Sequence, residues 1–176
     1  MAVWNAIAHQ ELSSGATSVS FTSIPASYDH LVLLSSARSD SSSYNDYINF
    51  RVNNDSGNNY SRRAINANTT VPGAVSGSGN NAWTFQYMPA ASALSDHFGT
   101  CETWFIDYSN TTTFKQILSQ SVNANHSTTD GQWGTRFAGG VWSSTAAIDR
   151  VDALTSGGDD FVQYSSFTLY GINGAG

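Results

Sequence analysis

The chain has 176 residues and a formal charge of −6, so it fits one domain whose core can hide roughly 70% of the unfolded surface. Only 11% of its residues are charged, against about 25% in an average soluble protein, and seven Lys and Arg leave no basic footprint for nucleic acid. No stretch approaches the roughly 20 apolar residues of a membrane span, and MAVWNAIAHQ lacks the basic region of a secretory signal, so neither nucleic acid nor membrane is an expected partner.

Polarity comes instead from Ser, Thr and Asn, which compete with helical hydrogen bonds and favour turns and strands. Helical periodicity is nearly absent; short runs with period-two alternation lie between clusters of Gly, Ser, Asn and Asp. Residues 1–12 read as an N-terminal arm or a first strand, within Trp4–Leu12, and residues 13–176 as a single β-sandwich domain. Thr17–Ile24 predicts a strand that stops at Pro25, which cannot donate to a ladder. The apolar run Leu31-Val32-Leu33-Leu34 in His30–Arg38 predicts a central strand, buried on both faces or covered on one by a partner. Ser39–Tyr44 is a polar loop, and Tyr47–Val52 alternates as a half-buried strand. Asn53–Asn59 is a turn rich in residues that tolerate positive φ.

Tyr60–Ala67 predicts another strand, followed by a long Gly/Ser-rich loop, Asn68–Asn81, containing Pro72 and Val75. Loops of that length inside a compact domain are usually functional. Trp83, Phe85 and Tyr87 are expected on one face of the next strand, and Pro89–Asp96 has room for one helical turn. Gly99–Asp107 and Phe114–Ala124 predict a hairpin. Asn125–Gly131 is a second polar loop before Trp133–Trp142, in which Gly139-Gly140 suggests a bulge or a tight bend. Ala147–Leu154 and Phe161–Ile172 close the domain across Ser156–Asp160. About ten strands at this spacing predict an all-β, antiparallel two-sheet sandwich, jelly-roll-like.

Catalytic groups are sparse. His30 follows Asp29, but neighbours along a strand point to opposite faces. No GxSxG elbow positions a serine. Glu102 and Asp107, five residues apart, fall on opposite faces of an ideal strand, so no carboxylate pair spans a cleft. Asp152, Asp159 and Asp160 around Gly157-Gly158 suit either a calcium loop or an Asx-rich hairpin turn. Cys101, the single cysteine, reads as a small buried hydrophobe. No enzyme activity, metal or cofactor is expected. Five tryptophans are more informative: most read as core, while Trp4, near the terminus with Val3 and Ile7, reads as part of an apolar arm docked onto the domain or a neighbour.

Four segments carry a family resemblance: SVSFTSIPASYDHLVLL (18–34), FIDYSNTTTFK (105–115), VWSSTAAIDRVDAL (141–154) and YSSFTLYGI (164–172). Together they resemble virion structural proteins of tailed bacteriophages, a likeness of strands and corners along nearly the whole chain. The resemblance implies a β-sandwich on the particle surface, assembled in the host cytoplasm. Its first expected role is a head decoration or cement protein, homotrimeric, bound to the major capsid protein or other virion proteins. The alternative is a tail-associated receptor- or carbohydrate-binding module. The family has no active site to transfer. The residues expected to contact a partner are Trp4, Ile7, Pro72 and Val75.

Overall fold

Alternating side chains that bury one face and wet the other can close a core by pairing two sheets. The computed structural model describes residues 3–67, 72–123 and 134–174, and among them are strands but no helix. The strands are β1 (Val3–Glu11), β2 (Ser18–Phe21), β3 (His30–Ala37), β4 (Asn45–Val52), β5 (Tyr60–Ala67) and β6 (Gly73–Asn80). They continue as β7 (Trp83–Pro89), β8 (Gly99–Ile106), β9 (Lys115–Asn123), β10 (Gly134–Trp142), β11 (Val151–Thr155) and β12 (Ser166–Asn173). No described helix is long and apolar enough to cross a membrane.

An eight-stranded sheet, ordered β1-β12-β3-β8-β9-β10-β5-β6, packs on a four-stranded sheet, β2-β11-β4-β7. Every pairing is antiparallel, and the pairings nest: β1 with β12, β2 with β11, β3 with β8, β4 with β7. Two hairpins interrupt the nest. β5–β6 follows β4, β9–β10 follows β8, and both join the larger sheet, which therefore outgrows its partner.

The core lies between the sheets. β4 sends Ile48, Phe50 and Val52 inward, all fully buried, against Leu31, Leu33, Phe105, Phe167 and Leu169. Phe50 and Phe105 meet edge to face across the gap, with centroids 6.4 Å apart. Trp83 packs its ring 4.8 Å from Tyr60 and donates Nε1–H to the Val141 carbonyl at 3.2 Å. Cys101 is buried as expected, and burial pushes its thiol up to about 11.

One end of the interior is polar. Gln86 donates to Ser119, whose hydroxyl lies 2.6 Å from that of Thr103, and the Tyr87 N–H reaches Ser121 Oγ at 3.1 Å. Asn123 donates to Asn45, and the buried Arg136 guanidinium lies 5.5 Å from the ring centres of both Tyr47 and Tyr87.

Several expectations need correction. Residues 73–80, read as loop, form β6, because its Gly and Ser residues pair by backbone with β5 and need no apolar face to do so. Pro89–Asp96 holds turns and no helix; Arg38 gathers its carbonyls instead, donating to Leu94 at 2.6 Å and Ala93 at 3.2 Å. β10 keeps its register through Gly139-Gly140, so that pair is not a bulge. Register shifts fall instead in the β1–β12, β5–β6 and β4–β7 pairings; in the last, Gln86 stands opposite Ile48 and faces the core, so Trp83 and Tyr87 do not share a face. The strand expected over Ala147–Leu154 starts only at Val151, and Phe161 makes isolated bridges to Ala16 and Ser39 before β12 begins. The 125–131 loop and residues 68–71 lie outside the described residues.

Asp46 sits at the buried start of β4. Burial raises its carboxyl above the usual range, Asp159 and Asp40 add to the rise, and the Tyr47 N–H and Ser39 hydroxyl oppose it. A carboxyl raised in the folded state stabilises below its unfolded pKa and loses that contribution as pH rises through the folded value. Asp46→Asn, which keeps an acceptor for the Tyr47 N–H, is therefore expected to raise stability at neutral pH by about 1 kcal/mol. The gain should shrink toward pH 4, as urea midpoints measured across that range would show.

Candidate interaction face

The four-stranded sheet covers only the inner face of its larger partner. On the outer face the side chains line up in rows across the strands. One row runs Ala6, Tyr170, Val32, Trp104, Leu118, Gly139, Arg63 and Ser76. The next runs His9, Thr168, Leu34, Glu102, Gln120, Phe137, Ile65 and Ala74.

This outer face is apolar at both ends. Toward β1, Trp4 stands edge-on to Trp104 at 5.6 Å and to Tyr170 at 5.7 Å. Val32, between Tyr170 and Trp104 in its row, is fully buried although it lies outside the inter-sheet core. Trp4 itself remains 46% exposed. Toward β6, Leu118 (41%), Val122 (46%), Phe137 (53%) and Ile65 (60%) are open to solvent. Exposed apolar surface that is contiguous in this way marks interaction sites far more often than scattered single residues do.

The concavities lie here too. A groove of about 1190 Å³ has Leu118 and Gly139 on its floor, Ile106 and Phe114 on one wall, and Arg63 and Ser76 on the other. Two smaller hollows, about 460 and 530 Å³, flank Phe137. Charge on the face is thin. Arg63 is exposed, and Glu102 accepts hydrogen bonds from Trp104 Nε1 and from Gln120 Nε2 at 3.2 Å. That set suits shape-and-apolar recognition, since few charged groups need desolvating.

The expected contact residues divide. Trp4 is on the face. Ile7 is the extra residue of a bulge between Ala6 and Ala8, and it packs against the core. Pro72 is exposed just ahead of β6, while Val75 pairs with Ala64, is half-buried and borders the hollow beside Ile65. Residues 3–11, read as arm or strand, are an edge strand bonded to β12. Val75, opposite the inward-facing Ala64, belongs to the other face of the sheet, so the structure does not bring it together with Trp4.

Groups that bear chemistry stay apart. His30 Nδ1 accepts the Asp107 N–H at 3.1 Å, and His9 Nδ1 lies 2.8 Å from the Thr168 hydroxyl. Burial, then the Arg38 charge, lower His97. Asp152 pairs with Arg150 at 2.8 Å and accepts from Ser20, so it does not join Asp159 and Asp160 around a cation. Among the described residues no cluster of three or more His, Cys, Asp or Glu is arranged for a metal.

Leu118, Val122, Phe137 and Ile65 were not singled out from sequence. β9 is inverted: Ser119, Ser121 and Asn123 are buried while Leu118 and Val122 face water. A sequence sees two alternating registers but not which one faces the core. The signal that was present is Gly139, a strand glycine whose neighbours do not demand it. The chain matches no family model and no curated protein.

Proposed function

We propose that the chain is a non-enzymatic virion structural protein, a capsid decoration or cement protein that binds the assembled head and stabilises it. The observation that carries this reading is the broad, weakly charged apolar face of the eight-stranded sheet, with the Trp4–Trp104–Tyr170 cluster at one end. A protein that binds the assembled shell better than free subunits stabilises the shell by mass action. Aromatic side chains of this kind dominate the energetics of protein contacts.

The nested pairing, β1-β12-β3-β8 over β2-β11-β4-β7, supports a jelly-roll reading of the sandwich, with β5–β6 and β9–β10 as inserted hairpins. Viral capsid domains and lectins share that architecture. The phage context itself comes from the sequence resemblance.

A second reading is a tail-associated carbohydrate-binding module. Trp4 and Tyr170 are aromatic surfaces with His9, Glu102 and Gln120 in the neighbouring row, a mixture that suits stacking and hydrogen bonding to sugars. Immunogold microscopy of particles carrying the chain separates the two. Label over the head, lost together with heat resistance in Trp4→Ala, is expected. Label at the tail tip, with glycan binding that Trp4→Ala abolishes, establishes the second reading instead. Absence from particles overturns both.

A further inference from the structure

Glycine inside a strand weakens it and often marks the close approach of another backbone or a ligand. Gly139 lies in mid-β10 with its register intact and no positive φ. A Cβ built there would meet only the Ile117 carbonyl oxygen, at an ordinary 3.6 Å. Nothing among the described residues requires glycine at that position, yet it lines the 1190 Å³ groove of the outer face. Beside it in the same row stands Leu118, 41% exposed, a projecting side chain next to a position with none.

We propose that this half of the face, from β8 to β5, is a twofold contact between two copies of the chain. A twofold axis parallel to the strands, between β9 and β10, exchanges β9 with β10 and β8 with β5. Within one row it sets Leu118 of each copy over Gly139 of the other, and Arg63 over Trp104. In the next row it sets Phe137 over Gln120. Arg63 then stacks on an indole whose Nε1–H is already bonded to Glu102. One row is about 7 Å, so the guanidinium also reaches that carboxylate.

Charge favours this occupant over an unrelated one. Each copy carries −6 overall, which opposes self-association in general. On this half of the face the central rows hold one Arg and one Glu, and the axis brings the Arg63 of each copy within one row of the Glu102 of the other. Trp4 and Tyr170, on the strands beyond the contact, stay free for a shell. The contact is twofold, where the phage resemblance implies a trimer.

Sedimentation equilibrium on the full chain decides it. The wild type is expected to be a dimer. Gly139→Val, which fills the groove floor and favours the strand, is expected to give a monomer whose thermal midpoint is unchanged or higher. Arg63→Glu and Glu102→Arg should each weaken the dimer about tenfold or more, and the double exchange should restore it. A wild type that stays monomeric, an oligomer indifferent to Gly139→Val, or a double exchange without recovery each overturns the proposal. Because the measurement uses isolated protein, its failure leaves the particle experiment standing, and the reverse holds.

Discussion

Trp83→Ala is expected to cost about 3–5 kcal/mol, a large share of the 5–15 kcal/mol that holds a domain of this size together. The indole is where the two sheets meet. It sits on β7 in the smaller sheet, packs edge-on to Tyr60 of β5 and lies 6.4 Å from the Phe105 ring of β8. Truncation removes that packing and leaves a cavity that rigid strands on both sides cannot fill. It also strips the Val141 carbonyl of the Nε1–H donor that reaches it. Trp83→Phe, which keeps a ring but not the donor, should lose only about 1–2 kcal/mol. Urea unfolding followed by far-ultraviolet circular dichroism checks both values; equal losses for the two variants would show that the ring packing contributes little.

The second large effect is expected at Gly171→Ala. Gly171 lies in β12 between β1 and β3, and the Tyr28 ring is laid against it so closely that an added methyl would overlap the ring atoms. Tyr28 packs against the core, and its backbone N–H lies 3.4 Å from the Tyr108 hydroxyl, which itself donates to the Pro25 carbonyl. The ring cannot swing away without disturbing that corner. Overpacking of this kind costs about 2–3 kcal/mol. The effect should be much smaller in a Tyr28→Ala background, so a double-mutant cycle measured by thermal unfolding identifies the clash. Equal costs in the two backgrounds would exclude it.

Much of the architecture was legible because period-two alternation is a strong signal where one face is greasy and the other polar. Tyr47–Val52 is such a run, and the structure buries the face expected of it. Asn53 and Asn54 take the positive φ their turn suggested, at 52° and 55°. The signal fails where the interior is itself polar. In β9 the buried register is Lys115, Ile117, Ser119, Ser121 and Asn123, so hydrophobicity alone points the wrong way. It also fails for β6, where GAVSGSGN carries turn-forming residues and is held in place by β5 rather than by its own side chains.

The tryptophans show the same division. Trp83 and Trp142 are core, as the sequence suggested, whereas Trp4 and Trp104 build a cluster on the far side of the sheet. A sequence gives the position of an aromatic residue but not the strand order, and strand order brings residue 4 against residues 104 and 170. The candidate face was illegible for that reason: its rows are written across strands that are distant along the chain.

Greasy layers can slide over one another with little change in energy, but interlocked hydrogen bonds cannot. The seam formed by Gln86, Thr103, Ser119, Ser121, Asn45 and Asn123 fits in one alignment only, and shifting it by a single notch would strand several donors in a dry place. The two layers are thereby keyed like a lock, and the body should resist shear until it fails all at once, with no loosened intermediate on the way.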